Sequence, residues 1–133
     1  MSNLISDYLG VHAQAMPLRE QRMKLIAGNL ANADTPGYKA RDLDFDAALR
    51  DASGQGGNDL LATTKEQHYR SGSIEGLSPF QVLRAGVQPS LDGNTVDPDA
   101  ERAAYGRAAL EYRASLSFVE SKVRTLTTAI TGQ

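Results

Sequence analysis

The 133-residue sequence contains no cysteine and no tryptophan. Without cysteine there is no disulfide framework, no thiolate metal site and no cysteine nucleophile, although the compartment stays open because many proteins simply do without the residue. Strong core formers are scarce as well. Leu, Ile, Val and Phe together make up 28 of the 133 residues, about 21%, just above the level of roughly 20% below which chains tend to stay disordered. Autonomous folding on that supply is marginal. The formal net charge is only -2, which gives no general electrostatic reason to bind nucleic acid or an anionic membrane. No run approaches the roughly 18 apolar residues of a membrane span, so direct membrane insertion is not expected. The opening MSNLISDYLGVHAQAM has no basic leader and is interrupted by Asp7, which makes it a poor signal peptide. If such a protein leaves the cytoplasm, something other than an ordinary signal takes it there.

Catalytic signals are missing too. His12 and His68 are the only histidines, and without Cys or an HExxH arrangement they read as polar packing residues rather than metal ligands. Asp42, Asp44 and Asp46 alternate, but no Gly-then-Glu follows at the spacing of a calcium loop. RSGSIEG (70–76) has serines near glycines without a nucleophile elbow or a phosphate loop ending in Lys. Arg19, Arg22 and Lys24 form a small basic patch that Glu20 breaks and no aromatic platform accompanies. The expectation is a protein that is not an enzyme, with no catalytic residues, no cofactor and no metal.

What the chain does have is two long amphipathic segments at its ends. Between Leu4 and Leu30 apolar residues recur at helical spacing in two neighbouring rows, one through Leu4, Tyr8, Val11, Ala15, Leu18 and Leu25, the other through Ile5, Leu9, Met16, Met23, Ile26 and Leu30. His12 and Arg22 interrupt the rows, and Pro17 predicts a bend. Near the C-terminus, Tyr105, Ala109, Tyr112, Leu116, Val119, Val123, Leu126 and Ile130 alternate in four- and three-residue steps. That is a heptad seam. Asp97 suits the N-cap, Pro98 the first turn, and Asp99 and Glu101 the positive end of the dipole. A helix from Pro98 to about Thr131 would be roughly 50 Å long and its N-terminal counterpart roughly 40 Å, too long for a globule of radius roughly 14 Å. The two helices either form a hairpin, parallel or antiparallel, within a monomer, or present apolar faces wider than one partner covers and pack against other chains. The weak core composition favours the second reading.

The fold class expected is therefore mainly α: long N- and C-terminal helices packed as a coiled-coil-like pair, joined by an irregular middle with little β-structure. The divisions are residues 1–32 for the first helix, 33–96 for the middle and 97–133 for the heptad helix, the two end helices forming one core domain. In the middle, ADTPGY stops the helix, with Pro36 and Gly37 at the centre of a type II turn. YKARDLDF then carries Tyr38, Leu43 and Phe45 as apolar anchors on an extended segment, and Asp44 suits the cap of a short helix. ASGQGGND (52–59) has the composition of a flexible loop. LLATTKEQHYR stays open between strand and extended loop, and QVLRAGVQPSLDGNTVD suggests short strands and a turn at LDGN.

NLANADTPGYKARDLDF (29–45) resembles the signature of bacterial flagellar axial proteins, in which an N-terminal helix ends in an Asn-rich turn followed by Thr-Pro-Gly-Tyr-Lys and a downstream aromatic. The residues that match are Asn29, Leu30, Ala31, Asn32, Thr35, Pro36, Gly37, Tyr38, Lys39 and Phe45. Together with TTKEQH (63–68), QPSLDGNTVDPDAE (88–101) and the short length, they make the chain similar to basal-body rod proteins of the proximal-rod B type. The resemblance implies a structural subunit of the proximal rod, the periplasmic drive shaft that transmits torque from the membrane ring to the hook. It implies export by the flagellar type III apparatus without a cleaved signal peptide. The partners it implies are other copies of the chain, other rod proteins, and the membrane-ring adaptor and ring at the rod base. Helix packing would use Leu4, Tyr8, Val11, Leu18 and Leu25 with Tyr112, Leu116, Val119, Val123, Leu126 and Ile130. A competing reading is a small helical adaptor or chaperone-like protein of a secretion system.

Overall fold

A computed structural model of the protein describes residues 4–54, 79–85 and 90–132. TTKEQH, RSGSIEG, His68 and most of the Gly-rich stretch lie outside the described residues. Among those described, the chain runs as helix α1 (Leu4–Ala31), strand β1 (Arg41–Leu43), helix α2 (Phe45–Ala52), strand β2 (Gln81–Leu83) and helix α3 (Pro98–Thr131). The protein is mainly α, as its end patterns predict.

The helix boundaries follow from local chemistry. The carboxylate of Asp97 accepts the amides of Asp99 and Ala100 at 3.0 and 3.2 Å, and Pro98 contributes no amide where none is needed. At the other end Gly132, at φ 71°, donates its amide to Thr128 O at 2.8 Å, a left-handed close open to glycine without a Cβ penalty. Asp44 caps α2 by accepting the Ala47 amide at 3.1 Å. The bend expected at Pro17 falls elsewhere. α1 runs helically through Pro17 and breaks at Gly10, which takes φ 66° and ψ −159°. A break requires one residue to leave helical dihedrals. Glycine does so without steric cost, whereas the fixed φ of proline is itself helical.

α1 and α3 pair antiparallel. Lys122 Nζ donates to Tyr8 O at 2.8 Å, the rings of His12 and Phe118 stack at 4.5 Å, Arg19 pairs with Glu111 at 2.6 Å, and Asn29 donates to Glu101 at 3.1 Å. Numbers rise along one helix as they fall along the other, so the contact extends for about 30 Å at about 1.5 Å per residue.

The seam between them is not the expected apolar one. On α3 the contact line runs through Glu101, Ala108, Glu111, Ser115, Phe118 and Lys122. From Ala108 onward each residue sits one position before a member of the predicted row, a rotation of about 100° about the helix axis. On α1 the contacts come from Tyr8, His12, Arg19 and Asn29, with Ala15 and Ile26 buried between them; of the two residues that interrupt the apolar rows, His12 meets α3 and Arg22 turns to Asp42. Small side chains at the centre, Ala15, Ala108 and Ser115, are all buried and bring the backbones close. Among the described residues Ile26 is the one large apolar side chain with no exposure at all, and Leu43 is 5% exposed; such a side chain contributes about 1.5–3 kcal/mol.

β1 and β2 form a two-stranded antiparallel sheet, with Arg41 opposite Leu83 and Leu43 opposite Gln81. The sheet lies against α1, and Ala40 and Leu43 are buried.

Candidate assembly site

Helix α1 ends in a knot of hydrogen bonds. Asn29 is wholly buried and uses both ends of its amide: Nδ2 donates to Arg41 O at 2.8 Å and to Glu101, while Oδ1 accepts the Arg41 amide at 2.9 Å and the Tyr38 hydroxyl at 3.4 Å. It thereby pairs with the outer edge of β1 as a further strand would. Asn32 closes the helix, donating to Gly28 O at 2.8 Å and accepting from the Thr35 hydroxyl at 3.2 Å. The chain then reverses. Tyr38 N donates to Thr35 O at 3.2 Å across Pro36 and Gly37, and Gly37 has φ 73°, the geometry of a type II turn.

A second turn grips the first. Ser90 to Gly93 close on a 3.1 Å hydrogen bond with Gly93 at φ 74°, and Gly37 N donates to Asp92 O at 2.8 Å. Asn94, nearly buried, directs its Nδ2 at three carbonyls of the helix terminus, Asn32 at 3.0 Å, Ala33 at 2.8 Å and Thr35 at 2.9 Å. Its Oδ1 accepts the Val96 amide at 2.8 Å. Thr95 N donates to Tyr38 O, the Thr95 hydroxyl accepts from Ala40 N, and Lys39 Nζ reaches Gly93 O at 2.6 Å. The two turns form one rigid head, from which Leu91 projects fully exposed.

Beneath the head is a partly buried chain of charges. Glu101 of α3 is 1% exposed and pairs with Arg84, which also holds Asp42 at 2.5 Å. Asp42 receives Arg22 of α1 as well, at 3.0 and 3.3 Å. Burial pushes the Asp42 carboxyl up, but hydrogen bonds from Arg22, Arg84 and the Leu43 amide outweigh it and hold the group below its ordinary value. The same bond to Asp42, against the opposing effect of burial, raises Arg22.

The structure gathers Asn29, Asn32, Thr35, Gly37, Tyr38 and Lys39 into this head, with Leu30 half-buried beside it and Ala31 and Pro36 exposed. Phe45 is not part of it. It begins α2, where the Arg19 guanidinium lies 5.0 Å from its ring centroid, on an open groove of about 520 Å³ shared with Arg22, Asp46 and Glu111. Sequence reasoning placed Asn94 in the turn at LDGN and Asn94, Thr95 and Glu101 in the family-like stretch 88–101, treated Glu101 otherwise only as a helix-dipole acid, and gave no role to Arg84. The signal for Asn94 was its place after a turn glycine and before a helix cap. Of the residues expected to pack helices, Tyr8 lies in the seam, Leu18, Leu25, Tyr112, Leu116, Val119 and Leu126 flank it half-buried, and Val11, Val123 and Ile130 are exposed. Among the described residues no helix is long and apolar enough to cross a membrane.

A family model for the flagella basal body rod protein matches residues 9–39, which end inside the head. The flagellar basal body rod protein FlgB of Cereibacter sphaeroides is 45% identical over 127 residues, covering 96% of each chain. The chain belongs to the flagellar basal-body rod protein family. Two further members are FlgB of Salmonella typhimurium, 37% identical over 136 residues and 99% of each chain, and FlgB of Escherichia coli, 38% identical over 129 residues and 93% of each chain. Since the likeness runs almost end to end, it takes in the head, the charge chain and both helices of this rod protein. Nothing in the fold or the relatives favours the adaptor or chaperone reading.

Proposed function

We propose that this rod protein uses its helix pair as a stiff scaffold and the apolar surface left outside that pair as its assembly surface in the proximal rod. As a family member it is a structural subunit of the flagellar basal-body rod. The observation that carries the finer reading is the division of residues on α3: apart from Phe118, small and polar side chains meet α1, whereas Leu110 (69% exposed), Val123 and Ile130 (83% exposed) face outward. Exposed apolar surface concentrated on one element is characteristic of interfaces, and helical stacking of subunits is a heterologous assembly in which each copy leaves a face for the next.

On this reading the neighbours are other copies of the chain, other rod proteins, and the adaptor and ring at the rod base. The chain reaches the periplasm through the flagellar type III apparatus without a cleaved signal peptide. It carries torque rather than chemistry and is not an enzyme. The motif residues Asn29 to Lys39 serve by fixing the angle at which the chain leaves the helix pair, and the flanking row Tyr112, Leu116, Val119, Val123, Leu126 and Ile130 serves in packing between subunits. Electron microscopy of basal bodies from a strain lacking the protein, with a complemented control, tests the reading. Membrane rings without a rod are expected. Complete rods in motile cells would overturn it.

A further inference from the structure

The segment Phe80–Arg84 is held by little apolar burial. Phe80 and Gln81 are half-buried, Val82 and Leu83 are 45% and 47% exposed, and no residue from Pro79 to Ala85 is fully buried. Among the described residues its backbone attachments are the three-residue β1–β2 ladder and two flanking hydrogen bonds, Asp44 N to Phe80 O and Arg84 N to Ala40 O, each 2.8 Å. A two-stranded ladder this short is marginal by itself. What remains is the Arg84 side chain, which reaches past β1 to Asp42 and to Glu101 of α3.

The dependence runs both ways. Glu101 is buried, its neighbour Asn29 is neutral, and Arg22 is committed to Asp42. Among the described residues the cation on Glu101 is Arg84, and docking of the segment delivers it. We propose that Arg84 is a clasp: it ties this strap to the helix pair in a step separable from pairing of α1 and α3, and so determines whether Val82 and Leu83 are held as a fixed apolar pair on the surface. The inference rests on contacts within one chain and stands apart from the rod reading.

Hydrogen exchange followed by mass spectrometry on the full chain tests it. The unmutated protein shows protection at 40–45, where β1 and the Asp44 amide pair with the strap. Arg84→Gln raises exchange there about tenfold or more, the loss of a buried pair discounted for the partial exposure of Arg84, while peptides in the middle of α1 and α3 change less than about twofold. Glu101→Gln in the Arg84→Gln background slows exchange again, because no buried carboxylate is left unpaired. An unprotected 40–45 segment in the unmutated chain, no response to Arg84→Gln, an equal loss along the helix pair, or a double variant no slower than the single one would each overturn the clasp.

Discussion

Asn94→Ala removes the side chain that joins the two turns of the head. The two N–H groups of its amide are shared among three carbonyls and its oxygen accepts one amide, all between 2.8 and 3.0 Å. An ordinary intramolecular hydrogen bond contributes about 0.5–1.5 kcal/mol net, and more is lost when buried partners are stranded. The carbonyls of Asn32, Ala33 and Thr35 belong to residues that are half-buried or exposed, so water recovers part of the loss, and the expected cost is about 2–4 kcal/mol. Against a total stability of about 5–15 kcal/mol that is a large fraction. Urea denaturation of the purified protein, followed by far-ultraviolet circular dichroism, reads the cost as a fall in midpoint at unchanged slope. Asn94→Asp separates hydrogen bonding from packing: it keeps the shape and the acceptor for Val96 but turns an anion toward the carbonyls, and is expected to be at least as unstable as the alanine variant. A loss below about 0.5 kcal/mol for alanine, the size of an ordinary surface change, or an aspartate variant as stable as the parent, would refute this account of the head.

Gly37→Val meets open space at its Cβ but must hold φ 73°; a left-handed side-chain residue costs about 1–2 kcal/mol, more when β-branched, so swarming assays should show a motility defect, with Gly37→Asn closer to normal because Asn tolerates that conformation. Leu116→Asp alters a half-buried residue beside the seam; the purified variant should remain helical by circular dichroism yet fail to enter basal bodies, and normal incorporation would mean that this flank faces solvent in the rod. The Asp42 pKa is depressed in the folded chain, so its contribution to stability is complete above the unfolded value of about 3.9 and is lost as pH falls through the lower folded value. Denaturation midpoints measured from pH 7 to 2 should lose this contribution only below about pH 4, a component that Asp42→Asn lacks.

Local rules were enough to find the elements. Asp44, Asp97 and Pro98 mark helix starts through the amide groups that a helix leaves unpaired, and those rules act within four residues. The turn at Pro36 and Gly37 is legible for the same reason. The helix seam was not, because periodicity reports where apolar side chains lie without saying which neighbour covers them. On α3 the apolar stripe sits one position beyond the line that meets α1, and the actual line there is built largely from Ala108, Ser115 and the charged Glu101, Glu111 and Lys122, most of which carry no hydrophobic signal; on α1 the expected Tyr8, Ala15 and Ile26 do fall near it. Arg84, Glu101 and Asn94 were illegible as a site because their meaning depends on partners 17 to 72 positions away in sequence. The separation of Phe45 from Tyr38 was equally hidden, since a downstream aromatic in a motif carries no information about which helix it meets.

In the assembled rod the apolar residues left outside the helix pair should be covered by neighbouring subunits. Single-cysteine variants Leu110→Cys and Val123→Cys, in a chain that otherwise has no cysteine, report it through their rate of maleimide labelling in the purified protein and in isolated basal bodies. Fast labelling of the free chain and strong protection at both positions in basal bodies are expected. Equal rates in the two settings would contradict this.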